Sequence, residues 1–370
     1  MNNVEPNNLI VILIYGSLVL LSFLKLTNPL KVNLKANLWF GIFLFLWSTF
    51  WIDEIFYLAH IPEISGYFSV ATSLIQFFTP IVFYLSVVSY TNPNFKLKKS
   101  GIKYLILPIV FLCVLVIEQS SVTRESYFLS LLIIGLILSQ ALFYVSISFL
   151  TIRKHQKKIK LFSSNTEDID LNWLEYIIIT ILVIVVFYVL YHLFFNPVSL
   201  NIFINCVFLV AIYFIAYHSL KQKEIYPIEE KQRDELISLE DIIVDNAKKK
   251  IISDEELIGV KTRLIELMQR EKPYLESDLN LIKLAQLLSV SVHQLSYVIN
   301  TGFDKNFFQY INEYRVEKAK KLLSDNTNDN LSILGIAFES GFNSKTSFNT
   351  TFKKMTGQTP SEFKKTGSDL

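Results

Sequence analysis

Cysteine, glycine and charge are all scarce in this 370-residue chain, and each scarcity closes off a class of function. The two cysteines, Cys113 and Cys206, both lie inside apolar runs, so they suggest neither a disulfide framework nor a cysteine-based metal site. The 11 glycines form no GxGxxG and no GxxxxGK[ST], which removes the common phosphate-cradling loops. HExxH and GxSxG are also missing, and with them the usual zinc-protease and serine-hydrolase signatures. Solenoid-type repeats are not apparent. Neither an enzymatic activity nor a metal or other cofactor is expected. Charged residues make up only 18% of the chain against 51% hydrophobic, with a mean hydropathy of +0.38, outside the usual soluble profile.

The averages conceal a division near His218. Residues 1–218 carry 13 Lys+Arg and 10 Asp+Glu, whereas residues 219–370 carry 22 and 23. The first part reads as a membrane domain and the second as ordinary cytosolic protein. Three regions are expected: an apolar domain over 1–218, an amphipathic linker over 219–255 and a further helical domain over 256–370. The fold class is all-α throughout.

A bilayer core needs about 20 apolar residues of helix to cross it. Seven stretches qualify, at about 8–25, 38–59, 67–90, 102–118, 127–150, 173–195 and 199–218. Lys and Arg accumulate in short cytoplasmic loops. On one side the connections hold Lys25, Lys31, Lys35, Lys96, Lys98, Lys99, Lys103, Arg153, Lys154, Lys157, Lys158 and Lys160; on the other only Arg124. This predicts a multi-pass protein of the inner (cytoplasmic) membrane, with the N-terminus outside and the C-terminal half in the cytoplasm. A cleaved signal peptide is the competing reading of the first run, but "MNNVEPNN" has no basic residue and no A-x-A site follows near Leu26.

Polar residues inside spans are costly and so mark candidate sites. With this topology Asp53, Glu54, Gln76, Glu118, His192, Asn201 and Asn205 fall in the outer half of the bilayer, in one layer with Trp47, Trp51, Phe56, Tyr57, Tyr188 and Tyr191. An outward-opening pocket for a small-molecule or lipophilic ligand would have this composition, with Asp53, Glu54, Gln76 and His192 as its polar members. The plainer alternative is an interfacial belt, which needs no ligand.

In the linker, Leu236, Leu239 and Ile243 share a helical face, broadened by Ile242 and Val244, and a second copy of the chain could pack there; the heptad fails at Asn246 and Lys250. Ser253 and Glu256 have capping-box spacing at the start of "DEELIGVKTRLIELMQREK". Beyond Pro273, "LNLIKLAQLL", the turn "SVSV" and "SVHQLSYVIN" make two short helices joined by a tight turn, the second with a polar outer face. That is a helix-turn-helix, a weak signal alone because many helical bundles share it. The pattern then recurs. After a long helix over about Phe307–Leu323 come "LSILGIAFES", a turn at Gly341 and "SKTSFNTTFKKMTG", in which Phe348 and Phe352 face inward and Lys345, Thr346, Asn349, Thr350 and Lys353 outward. Thr359, Pro360 and Glu362 open a last helix.

Through "LAQLLSVSVHQLSYVIN", "FFQYINEYRVEKAKKLL" and "IAFESGFNSKTSFNTTFKKMTGQTPSEF", residues from about Tyr274 to Lys365 resemble the DNA-binding domain of the AraC family of bacterial transcription regulators. The resemblance implies a seven-helix domain that sets two recognition helices into successive major-groove faces of a double-stranded DNA operator. It assigns base contacts to His293, Gln294, Ser296 and Tyr297 in the first helix and to Lys345, Thr346, Asn349 and Thr350 in the second. Arg315 and Gly341 match positions read as structural.

Residues 279–370 hold 11 Lys+Arg and 8 Asp+Glu, with Lys353, Lys354, Lys364 and Lys365 near the second recognition helix to position it on phosphates. No Arg lies on either expected base-reading face, so sequence preference is expected to lean on Asn349 to adenine, thymine-methyl contacts and DNA shape. The resulting expectation is a membrane-bound, one-component regulator whose partners are DNA, the lipid bilayer, a ligand and a second copy of the chain. A transporter with a regulatory DNA-binding tail is the alternative, weakened by sparse midplane charge.

Overall fold

The computed structural model describes residues 6–61, 66–97, 99–120, 127–194, 201–226, 229, 231–237, 239, 252–325 and 331–368. Arg124, Ile243 and Val244 lie outside the described residues, as does the side chain of His192. Apart from an isolated bridge between Ser163 and Asn280, the described secondary structure is helical. The chain divides into two compact units, residues 1–154 with 171–225, and residues 155–170 with 226–370. The division is not linear, because the connection between two apolar helices belongs to the C-terminal unit.

The first unit contains α1 (Pro6–Thr27), α2 (Leu34–Ser48), a 3-10 turn at Thr49–Trp51, α3 (Ile52–Leu58), α4 (Gly66–Thr91), α5 (Lys103–Ser120), most of α6 (Tyr127–Ile159), α7 (Asn172–Phe194) and α8 (Asn201–Lys221). Among the described residues, five helical segments are long and apolar enough to cross a membrane: Pro6–Thr27, Leu34–Leu58, Phe68–Thr91, Phe128–Ile159 and Ile202–Lys221. Tyr104–Gln119 and Asn172–Val183 are apolar but shorter. The stretch expected as one span over 38–59 is helical through Leu58 and tightens locally into a 3-10 turn at Thr49–Trp51. Ser48 and Thr49 turn their hydroxyls onto the carbonyls of Phe45 and Leu46, a local competition with the helix ladder that accompanies the change from α2 to α3.

Burial explains the packing of α1. Val11, Ile14, Leu18, Leu21, Ser22 and Lys25 recur at three- and four-residue spacing and form one buried stripe, while Leu9, Leu20 and Phe23 remain exposed. Gly41 on α2 permits the closest approach. A Cβ there would lie 2.8 Å from Leu26 Cγ and 3.1 Å from the Leu26 backbone nitrogen, and Ser22 Oγ donates to the Gly41 carbonyl at 2.8 Å. Lys25, expected in a basic loop, is instead 5% exposed and donates to the Ser219 carbonyl at 2.5 Å and to Asn37 Oδ1 at 3.3 Å. Tyr90 donates to the same Asn37 oxygen at 2.6 Å. The ammonium is satisfied by oxygens of other helices, which is how a membrane-type core tolerates it.

The second unit comprises residues 155–170, α9 (231–237), α10 (Asp254–Arg270), a 3-10 turn at Pro273–Leu275, α11 (Leu281–Leu288), α12 (Val292–Phe303), α13 (Phe307–Leu323), α14 (Ile333–Glu339), α15 (Lys345–Thr356) and α16 (Pro360–Ser368). Leu236 and Leu239 of the linker are buried here. Side-chain caps define the helix starts. Ser253, Asn280, Ser291, Asn306, Ser332 and Ser344 each accept a backbone N–H from the residue three positions later. Ser291 with Gln294 and Thr359 with Glu362 complete reciprocal boxes; so does Asn306 with Gln309, a pair the sequence reading passed over.

Candidate nucleic-acid interface

Two helix pairs, α11 with α12 and α14 with α15, flank the long helix α13. The second pair is held by a core of Val316, Ala319, Leu323, Ile336, Ala337, Phe342, Phe348 and Phe352, with Phe363 of α16 packed against it. Phe342, Phe348 and Phe352 contact ring to ring at centroid distances of 5.1 and 5.5 Å. Because Phe348, Thr351 and Phe352 occupy the inner face of α15, the helical period turns Lys345, Thr346, Thr350 and Lys353 to solvent, with Asn349 half-buried between them. All five residues assigned to the second reading helix therefore share one stripe, cationic at both ends and carrying hydroxyl and amide groups between. Such a stripe can place ammonium groups on phosphates and amide or hydroxyl groups on base edges.

The first reading helix is different. Ser296 is 5% exposed, since it follows Val292 by four residues and falls within the inward arc of Val292, Leu295 and Ile299. It cannot present its hydroxyl to a base from there. Gln294 accepts from the Ser291 N–H at 3.0 Å to close the capping box, and its amide donates to Glu256 of α10 at 3.0 Å. Tyr297 packs on the cluster of Ile252, Val260 and Val298. His293 is half-buried, with Nδ1 lacking a hydrogen-bond partner among the described residues. Of the four residues assigned to this helix, three are thus engaged in capping or packing.

Arg315 of α13 ties the unit together. It is 1% exposed, and Nε donates to the Tyr274 carbonyl at 2.7 Å. Nη2 donates to the Glu276 carbonyl at 2.8 Å and to Ser164 Oγ at 3.0 Å, and Nη1 to the Ser164 carbonyl and to Asn312 Oδ1, both at 3.3 Å. Burial lowers its pKa to about 10, so the guanidinium remains charged near neutral pH. Gly341 makes this possible. Its φ is +89°, and a Cβ would lie 2.4 Å from the Tyr274 carbonyl oxygen and 3.2 Å from Arg315 Nε.

Residues 160–170 complete the unit from a distant part of the sequence. The Leu281 N–H donates to the Phe162 carbonyl at 2.8 Å, Ser164 Oγ to the Leu279 carbonyl at 2.6 Å, and the Phe308 N–H to the Lys160 carbonyl at 3.0 Å. Asn312 Nδ2 donates to the Ser164 carbonyl at 3.0 Å. Further along, the Ser344 hydroxyl at the cap of α15 donates to the Glu167 carboxylate. The Lys160 ammonium is held below the ordinary lysine range by burial and then by the positive charge of Lys354, partly offset by Asp170.

Of the residues expected to form an outward pocket, Asp53, Glu54 and Gln76 line neither of two cavities in the first unit, and the side chain of His192 lies outside the described residues. Asp53 and Glu54 are exposed on α3, and Gln76 donates to the Thr49 carbonyl at 3.1 Å. One cavity, about 240 Å³, is lined by Trp47, Tyr176, Thr180, Phe208 and Phe214 among others; the second, about 510 Å³, lies between α6 and α7 beside Phe149, Arg153 and Glu175. No group of three His, Cys, Asp or Glu able to hold a metal occurs among the described residues.

Residues 284–366 match the family described as "Helix-turn-helix domain". A protein of Pseudoalteromonas carrageenovora, described as an uncharacterized HTH-type transcriptional regulator in the cgkA 5′ region, is 34% identical over 106 residues. That match takes in 28% of this chain and 61% of the relative's length. No solved structure matches. The C-terminal unit therefore carries a helix-turn-helix DNA-binding domain of the transcription-regulator type.

Proposed function

We propose that this protein is a non-enzymatic, membrane-bound transcription regulator of the AraC type, in which an apolar helical domain sits in the inner membrane and governs a cytoplasmic DNA-binding unit. The observation that carries it is the stripe of exposed Lys345, Thr346, Thr350 and Lys353 around half-buried Asn349 on α15, inside a double helix-turn-helix on the same chain as, among the described residues, five span-length apolar helices. The second helix pair supplies the principal base readout through Asn349 and the two threonines, with Lys345 and Lys353 on phosphates. The first pair contributes mainly position, with His293 its best-placed contact. The basic connections support an orientation with the N-terminus outside.

A sensed signal acts by shifting the packing of the apolar helices, which requires that it bind two states of the protein unequally. With Asp53, Glu54 and Gln76 away from the two cavities, a ligand of the first unit is better sought in those apolar cavities than at α3. Genome-wide footprinting of the intact protein, against a variant carrying Asn349→Ala with Lys353→Gln, tests the DNA-reading claim. Protected sites should vanish in the variant; unchanged occupancy would show that α15 does not read DNA.

A further inference from the structure

The segment between α6 and α7 is more than a connection. Its backbone is woven into the C-terminal unit through Lys160, Phe162, Ser163 and Ser164, and its next residues run on to the start of α15. We propose that residues 160–170 are an autoinhibitory strap: the Glu167 carboxylate, bonded to the Ser344 cap hydroxyl, takes the place at the start of α15 that a DNA phosphate would take. This rests on the reading of α15 as the DNA-facing helix.

Three observations converge. First, the start of a helix attracts anions through its unpaired N–H groups and its dipole, and a recognition helix offers that end to nucleic acid. In this chain the neighbouring anion is a side chain from 177 residues away, so it is not a local capping device. Second, the tip of the strap is acidic, with Glu167, Asp168 and Asp170 in four residues, opposite in sign to Lys345 and Lys353 on the exposed stripe. It has the charge of the ligand that the stripe is built to meet. Third, Glu167 lies between two held points, Ser164 on the Arg315 side and the Ile169 carbonyl bonded to His155, so its side chain can leave Ser344 by rotation without unravelling Ser164 from Arg315.

The strap also has a mechanical position. It begins where α6 ends and finishes where α7 begins, so any rearrangement of those two helices pulls directly on the acidic tip. Release of Glu167 would open the start of α15 and remove a like charge from the approach of DNA. A signal in the apolar unit thereby gains a covalent route to the reading helix that does not pass through the linker at 219–255.

The test uses the full chain in lipid nanodiscs and a labelled duplex recovered from a random library by selection with the wild-type protein. Glu167→Gln keeps a hydrogen-bond acceptor for Ser344 but removes the charge, and should tighten binding about 2- to 5-fold. Glu167→Lys should tighten it roughly tenfold, and both gains should shrink as salt is raised, since they arise from screened charge. Equal or weaker binding by both variants overturns the strap. If selection recovers no duplex with the wild type or with either variant, the reading of α15 as a DNA-facing helix fails, and the strap with it.

Discussion

Replacing Arg315 with Met keeps an apolar stem of similar length and deletes the guanidinium. The loss is large because the side chain is 1% exposed and donates to the carbonyls of Tyr274, Glu276 and Ser164, to Ser164 Oγ and to Asn312 Oδ1. Each buried acceptor left unpaired costs about 1–3 kcal/mol, although some rotate to water and the desolvation of the charge is recovered. The net expectation is about 3–4 kcal/mol, the cost of several unpaired acceptors less the recovered desolvation. Amide hydrogen exchange of the full chain reads this locally. Protection in α13 and at the start of α11 should fall by roughly two to three orders of magnitude, one for each 1.4 kcal/mol or so. Arg315→Lys should lie between the two, because a single ammonium cannot span acceptors that the planar fork reaches together. Exchange in α13 of the Met variant within about threefold of wild type would refute the account of Arg315 as the tie between these elements.

Other consequences are equally open to measurement. A fragment spanning residues 252–370 lacks the strap, leaving the Leu281 and Phe308 N–H groups and two donors of Arg315 without partners. It should be less stable than the same region in the full chain by about 2–4 kcal/mol, and equal exchange protection in the two would count against the strap as part of the unit. On a selected duplex Asn349→Ala should cost about 1–3 kcal/mol and relax preference at one base pair, whereas Lys353→Gln should weaken binding to all sequences alike and flatten the salt dependence by about one ion; the opposite pattern in a binding titration would reverse their roles. Gly41→Leu should separate α1 from α2, seen as a lower thermal midpoint in detergent, because the added side chain meets the Leu26 backbone as well as its movable tip. Glu362 has its carboxyl held below the ordinary range, first by the Thr359 N–H it accepts. The box at α16 is accordingly intact above the ordinary carboxylate pKa and lost as pH falls through the lowered one, so protection of the first turn of α16 should decline only in acid.

The outer face of α15 was legible because its two determinants are local. Aromatic residues at 348 and 352 mark one side, and a 3.6-residue period sends 345, 346, 349, 350 and 353 to the other. α12 was legible as a helix but not as a face. The period alone places Ser296 with Val292 and Leu295, a signal that was available. Gln294 and Tyr297, however, are engaged by Glu256 and by the cluster around Val260 of α10, whose position a linear reading does not supply. The pocket expected around Asp53 rested on depth inferred from distance along one span, whereas which cavity a side chain lines depends on how the helix, locally tightened at Thr49–Trp51, packs on its neighbours.

Composition and periodicity by themselves determined that the chain has an apolar helical half and a charged half with two helix-turn-helices, because hydrophobic content, caps and turn residues act over a few positions. They also marked Gly341 as a turn residue. Only the tertiary structure decided that Lys25 is buried rather than in a loop, that Arg315 needs Gly341 beside it, and that residues 155–170 belong with the C-terminal unit. Those outcomes depend on hydrogen bonds between residues such as Ser164 and Arg315, 151 positions apart. A backbone carbonyl looks the same at every position of a sequence, and which distant donor finds it is settled only when the chain is folded.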